Sequence, residues 1–137
     1  MTLDERLAAV LDDILPMQRE DDGALTVHHD DTFASLRVVT IAEGLDMVSL
    51  TQVVAWDLPV DTKMRNKVAR HAHDTQLGTV SLVEKTTGAK RNSKKVGDVL
   101  LRYNFPGAGL TDDALRTLIL LVLGAGTEIR RDLVVEH

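Results

Sequence analysis

Two histidine-bearing stretches are where this sequence could do chemistry. His28-His29-Asp30-Asp31 offers four metal-ligand types in a row, and a zinc-like ion wants three or four such donors converging on one point. The stretch closes a strand pattern, however, and successive strand residues point to opposite faces, so His28 and His29 cannot readily share an ion. It reads as the polar end of a hairpin. His71, His73 and Asp74 fall in a helical pattern. Two residues apart on a helix, His71 and His73 diverge, and the i,i+4 spacing of a helical metal pair is missing. His71 with Asp74 is an ordinary i,i+3 contact. None of Ser35, Ser49, Ser81 and Ser93 lies in a Gly-x-Ser-x-Gly elbow. The absence of cysteine excludes disulfides, thiolate nucleophiles and cysteine metal sites. The expectation is a non-enzymatic protein with no cofactor and no metal.

Two further stretches could hold an anion. Gly107-Ala108-Gly109, followed by Thr111 and a helix, could present backbone N–H groups. It lacks the Lys and Ser/Thr of a phosphate loop, and Asp112 and Asp113 would repel phosphate, so it reads as a turn. The loop from Thr86 to Lys95 is strongly basic, and Lys90, Arg91, Lys94 and Lys95 are its candidate anion contacts. It has no aromatic residues for stacking on a single strand. Its plain reading is a solvated hairpin end.

The net charge of −5 over 137 residues is unevenly spread. Between Lys63 and Lys95 stand nine basic residues and two acids, or +7; the other seven basic and nineteen acidic residues give −12. Such a bipolar chain can offer a basic surface to an anionic partner.

These stretches are set in a regular pattern of elements. Thr2-Leu3-Asp4-Glu5 is a capping box, and Leu3, Leu7, Val10, Leu11 and Ile14 follow at helical spacing until Pro16 stops the helix near Leu15. Residues 17–23 read as a solvated loop. Strands are expected over 24–29, 33–42 and 47–57, joined by tight turns as an antiparallel meander. On the third, Val48, Leu50, Val54 and Trp56 share one face with Gln52. A second helix runs from Thr62 to Gln76 with a thin apolar stripe and ends at Gly78. Strands over 79–85 and 96–105 follow. The order α-β-β-β-α-β-β-α describes an α+β domain, a five-stranded antiparallel sheet with covering helices, occupying the whole chain 1–137.

The last helix carries the strongest signal. Thr111 is a good N-cap, Asp112 and Asp113 favour the positive end of the helix dipole, and Leu115, Leu118, Ile119 and Val122 form one stripe. Leu120, Leu121 and Leu123 fall on its flanks, and the apolar arc spans more than half the circumference. The leucines are either overhang above the sheet or a contact with another subunit. Gly124 and Gly126 either end the helix or allow a close approach before it continues through Ile129 and Leu133.

Tyr103-Asn104-Phe105-Pro106, then Gly109-Leu110-Thr111, then Leu115 and the apolar run resemble the strand end, helix start and long C-terminal helix of the YbjN-like family. That family is related in fold to type III secretion chaperones, and the element order extends the likeness over nearly the whole chain. The resemblance implies a small, non-enzymatic, usually dimeric cytoplasmic protein of chaperone-like or regulatory character, bacterial, and without catalytic residues to carry over. Relatives in the chaperone branch hold an extended polypeptide against their sheet and helix surfaces.

A protein- or peptide-binding module acting as a homodimer is therefore expected, with Leu118, Leu120, Leu121 and Leu123 as the contact residues. The alternative is an anion- or nucleic-acid-binding protein using the basic 85–95 loop; nucleic acid stands second to protein. No apolar run reaches the length of a membrane span, and Asp4 and Glu5 stand where a signal peptide is basic, so a cytoplasmic protein is expected.

Overall fold

A computed structural model describes residues 1–86 and 95–134. The element order is α1 (Leu3–Ile14), β1 (Met17–Arg19), β2 (Leu25–His29), β3 (Thr32–Ala42), β4 (Leu45–Pro59), α2 (Thr62–Asp74), β5 (Thr79–Thr86), β6 (Lys95–Pro106) and α3 (Asp112–Val134). The strands form one antiparallel sheet in the order β1-β2-β3-β4-β6-β5. The α+β class with an antiparallel sheet and three helices is as the sequence implies. The sheet has six strands rather than five, because Met17–Arg19 pairs with Leu25–Val27 in what reads locally as a loop. Three residues are too few to show alternation, and only the neighbouring strand makes them a strand.

Local chemistry sets the helix starts. The Thr2 hydroxyl accepts from the Glu5 N–H at 3.2 Å while the Glu5 carboxylate accepts from the Thr2 N–H at 3.1 Å, the reciprocal capping box. Asp61 caps α2 through the Met64 N–H at 2.8 Å, and Thr111 caps α3 through the Ala114 N–H at 3.0 Å. Helix α2 ends at Asp74, two residues before the expected stop, and Gly78 turns the chain at φ +90°.

All three helices cover the same face of the sheet. Leu36, Val48, Leu50, Val54, Val99 and Leu101 point into that side and pack with Leu7 and Leu11 of α1, Met64 and Val68 of α2, and Leu115, Ile119, Val122 and Leu133 of α3 in one buried cluster. The other face carries Phe33, Val39, Thr51, Val53, Leu100 and Arg102, in register with one another and with no helix over them. Antiparallel sheets commonly have this one-sided layering.

Helix α3 runs unbroken through both glycines. At Gly126 a Cβ would stand 2.0 Å from Oε1 of Gln52, so a hydrogen is all that fits between α3 and β4. At Gly124 a Cβ would meet nothing within 4 Å. Strand β4 is interrupted by register shifts between Val53 and Ala55 and again between Ala55 and Leu58. The first bulge turns Ala55 into the core and takes Trp56 off the Gln52 face, where simple alternation had placed it. At the second, Asp57 adopts φ +56° and its N–H donates to the Asp98 carboxylate at 3.0 Å.

Candidate functional site

The residue sets with chemical potential do not converge. His28 and His29 lie on opposite faces, as the strand period requires. The His28 ring is 6.4 Å from that of Phe33 on the open side. His29 turns to the helix side, where its Nδ1 lies 2.7 Å from the Thr127 hydroxyl. Thr127 has one hydroxyl hydrogen and gives it to the Leu123 carbonyl at 3.1 Å, so Nδ1 of His29 is the donor. The same inner region holds Gln52, which is 0% exposed. Its Nε2 donates to the Thr32 hydroxyl at 2.8 Å and to the Leu123 carbonyl at 3.1 Å, and Thr32 donates to the His29 carbonyl at 2.8 Å. Gln52 Oε1 has no hydrogen-bond partner. It faces the Gly126 Cα–H, a weak contact of the kind a carbonyl oxygen makes with an acidic C–H. The network joins β2, β3, β4 and α3, and the His29 ring, 21% exposed, lies at its edge.

His71 and His73 diverge on α2. His71 Nε2 contacts Asp132 of α3 at 2.6 Å rather than Asp74, and Asp74 contacts His73 at 3.0 Å. The His71 hydrogen bond holds the Asp132 carboxyl below its usual range; burial opposes this, and the charges of His71, Lys67 and Arg70 add to it. Lys67 also donates to the Asp132 backbone carbonyl at 3.3 Å. This is a clasp between two helices. Among the described residues no group of three His, Asp or Glu side chains could hold a metal ion.

Among the described residues, several cations of the basic stretch are paired with acids. Arg65 pairs with Glu84 at 3.2 Å, Arg70 approaches Asp132 at 3.9 Å, and Lys85 sits between Asp57 at 2.7 Å and Asp98 at 2.9 Å. Hydrogen bonds to Asp57 and then Asp98 raise the Lys85 pKa. Burial pushes the Asp98 carboxyl up, but the hydrogen bonds from Lys85 and from the Asp57 N–H outweigh it and leave it lowered. Of the anion candidates, Lys95 is exposed at the start of β6, while Lys90, Arg91 and Lys94 lie outside the described residues.

The turn before α3 is built around a cation. Arg6 of α1 donates from Nε to Asp112 at 2.9 Å, from Nη1 to the Ala108 carbonyl at 3.3 Å, and from Nη2 to the Leu110 carbonyl. The loop offers carbonyl oxygens to an arginine, and a Cβ on Gly107 would stand 2.9 Å from Val48. It is a packed turn.

Two surfaces remain. On the outside of α3, Leu121 is 58% exposed, Leu118 and Leu120 are half-buried, and Leu123 is 0% exposed in the core of its own chain. Of the four leucines expected at a contact, Leu121 is the one that projects. The other surface is the uncovered sheet face, which has two apolar ends. At the β3–β4 hairpin, Val39, Ile41, Leu45 and Met47 line a hollow of ≈ 390 Å³ with Ser49 and Asn104, and Ile41 is 63% exposed. At the opposite end Phe33 is exposed beside Val53, and its ring centroid is 6.0 Å from that of Trp56. Trp56 is 43% exposed at the rim, with the Arg130 guanidinium 4.7 Å above it. Between the ends the face is polar: Ser35, Ser49 and Thr51 lie beside Arg37 and Arg102. Arg37 is held by Asp22 at 2.9 Å, while Arg102 makes no ion pair among the described residues. The signal for this face was apolar residues on both phases of β3, Val38 and Val39 in succession, then Ile41.

No family model and no curated protein matches the sequence. Among solved structures, the crystal structure of YbjN from E. coli superposes with a TM-score of 0.58, over 96% of this chain and 90% of that one, at 11% identity. The fold is shared with YbjN. That protein is described as a proposed transcription regulator. At this identity the likeness concerns the fold, and in the fold the YbjN resemblance read from the sequence is found. No helix among the described residues is long and apolar enough to cross a membrane.

Proposed function

We propose that the chain is a non-enzymatic protein-binding module of regulatory or chaperone-like character, acting as a homodimer in the cytoplasm. One observation carries the binding reading: the helices cover one side of the sheet and leave the other with two exposed apolar ends. The occupant that fits this face is an extended polypeptide. The span from Val39 to Phe33 is six residues of strand, about 20 Å at 3.3 Å per residue. The ligand would place apolar side chains at both ends of that span and acidic groups between them, opposite Arg37 and Arg102. Alternating anchors of this kind are how extended peptides are read on sheets. The fold shared with a proposed regulator is consistent with such a role.

Trp56 is the only tryptophan and stands at the rim of this face, so its emission reports occupancy. A synthetic peptide with two apolar anchors about six residues apart and Asp/Glu between should shift Trp56 emission, and the Ile41→Asp variant should weaken the effect. The same peptide with Lys in place of the acids should bind less. Equal responses to both peptides, or none to either, refute the reading.

A further inference from the structure

The two apolar ends of the open sheet face differ in shape and in charge. The hollow at the β3–β4 hairpin is aliphatic, lined mainly by Val39, Ile41, Leu45 and Met47. Residues 39–47, which build it, include Glu43 and Asp46 and no basic residue. The other end is flat and carries the aromatic rings. His28, Phe33, Val53 and Leu100 stand in one row across neighbouring strands, and the Trp56 ring lies beside that row, 6.0 Å from Phe33 between centroids. The pairing of β3 with β4 stops at Phe33 and Val53, so the face narrows there.

A cation stands at that narrowing edge. The Arg130 guanidinium of α3 lies 4.7 Å from the Trp56 ring centroid, and its Nη1 donates to the Val54 carbonyl at 3.1 Å. Stacking engages the flat face of a guanidinium and leaves its in-plane N–H groups available. The remaining donors of Arg130 make no hydrogen bond, and no carboxylate pairs with it, among the described residues. The acids of this end are engaged elsewhere: Asp57 and Asp98 hold Lys85, and Arg131 approaches Asp30 at 3.8 Å. A guanidinium fork without an anion thus stands beside two exposed aromatic rings.

A terminal carboxylate matches that pairing of groups. In the last residue of a peptide the carboxylate and the side chain branch from one Cα, so a ring laid against Phe33 and Trp56 brings the carboxylate to the guanidinium, which can donate two parallel bonds to it. An internal acidic residue would instead carry the chain onward past Trp56, where the face ends and Asp57 and Asp98 stand. The acidic hairpin at the far end favours the amino-terminal part of the ligand by the same rule of opposite charge. We infer, building on the peptide-binding reading of this face, that its ligand is a free C-terminal segment. An aromatic last residue lies on Phe33 and Trp56, its carboxylate lies on Arg130, and an aliphatic residue about six positions earlier fills the hairpin hollow. The ligand then runs in the direction of β4 and against β3.

Titration of the full chain with synthetic peptides, followed by Trp56 emission, tests this. The parent peptide has Leu near its free N-terminus, Asp and Glu in the middle, and Phe as the last residue with a free carboxylate. A second peptide ends in an amide. A third ends in an amide and has one more Glu in the middle, which restores the net charge. A fourth keeps the free carboxylate and exchanges Leu with Phe. Amidation should weaken binding by at least ~10-fold. The added Glu should not restore it, and the exchange of anchors should weaken it as well. Arg130→Gln, which keeps a donor for the Val54 carbonyl, should bring acid and amide to the same affinity by weakening the acid alone, with circular dichroism reporting that the variant is folded. The comparison of acid, amide and charge-restored amide on the wild-type chain decides the matter without any variant. Acid and amide that bind equally, an added Glu that restores the affinity, or a preference for the exchanged anchors overturns the C-terminal assignment and leaves peptide binding at the face standing. No response to any of the four peptides overturns both.

Discussion

Replacing Gly126 by alanine should destabilise the protein, although alanine is the better helix former. In an exposed helix the change gains about 1 kcal/mol. At position 126 the new methyl group would stand 2.0 Å from Gln52 Oε1, 2.4 Å from its Cδ and 2.7 Å from its Nε2, and Gln52 is fully enclosed. The amide must move, and with it go the bonds to the Thr32 hydroxyl at 2.8 Å and the Leu123 carbonyl at 3.1 Å. Stranding buried polar groups costs about 1–3 kcal/mol, and overpacking a filled core costs about 1–3 kcal/mol more. Set against the helix gain, the net loss is about 1–5 kcal/mol, with a central value of about 3. At about 3–5 °C per kcal/mol for a chain of this size, the melting temperature should fall by about 10 °C. Urea unfolding followed by circular dichroism measures it. Gly124→Ala, two residues away in open space, should be neutral or stabilising by up to about 1 kcal/mol. Adding Gln52→Ala to Gly126→Ala should cost less than the sum of the two single changes, because the clash disappears with the amide. A Gly126→Ala protein as stable as the wild type would refute the claim that Gln52 fixes the approach of α3 to β4.

Two further outcomes follow from the ion pairs. Arg6→Ala should cost about 2 kcal/mol by urea unfolding, since a half-buried guanidinium that bonds two backbone carbonyls and Asp112 leaves those carbonyls without a charged donor; amide exchange should quicken first at 108–115, and unchanged exchange there would deny the clamp. Asp132 has a folded-state pKa lowered chiefly by its hydrogen bond from His71. A lowered folded value contributes stability that is present above the unfolded carboxylate value of about 4 and is lost as pH falls below it through the folded value. Stability should therefore drop below about pH 4, and Asp132→Asn should flatten part of that drop; parallel pH profiles for the two proteins would show that the clasp carries no stability.

The helices were legible because their ends are written locally. Thr2 with Glu5, Asp61, and Thr111 with two following aspartates are short-range chemical statements, and each forms the cap its sequence describes. The long strands were legible by alternation. What was not legible depends on partners far away in the chain. Met17–Arg19 is a strand only because Leu25–Val27 lies beside it. Trp56 leaves the core face because two bulges shift β4 against β6, and nothing in Val53-Val54-Ala55-Trp56 marks them. The two glycines of α3 look alike in sequence, yet one is pressed against a buried amide and the other faces open space. The leucines divide in the same way: Leu123 and Leu121 are two residues apart, and a turn of about 200° puts one in the core and the other in solvent.

The charge asymmetry of the sequence has a similar resolution, and it bears on function. The basic residues of α2 and β5 are drawn from one stretch, while Asp57, Asp98 and Asp132 come from outside it. Folding sets them together, with Lys85 between two aspartates and Arg70 beside Asp132. Among the described residues, Arg70 and Lys85 are thus committed to contacts at α3 and at the start of β6. Exposed pairs of this kind contribute little stability each, but they lower the field that the same cations would otherwise project. In the middle of the open sheet face Arg37 is paired with Asp22, while Arg102 makes no ion pair among the described residues and stands near hydroxyl side chains between two apolar ends. Recognition there would rest on apolar anchors, with charge selecting among ligands that already fit, so raising the salt concentration should reduce the preference for the acidic peptide over the basic one more than it reduces the binding of either.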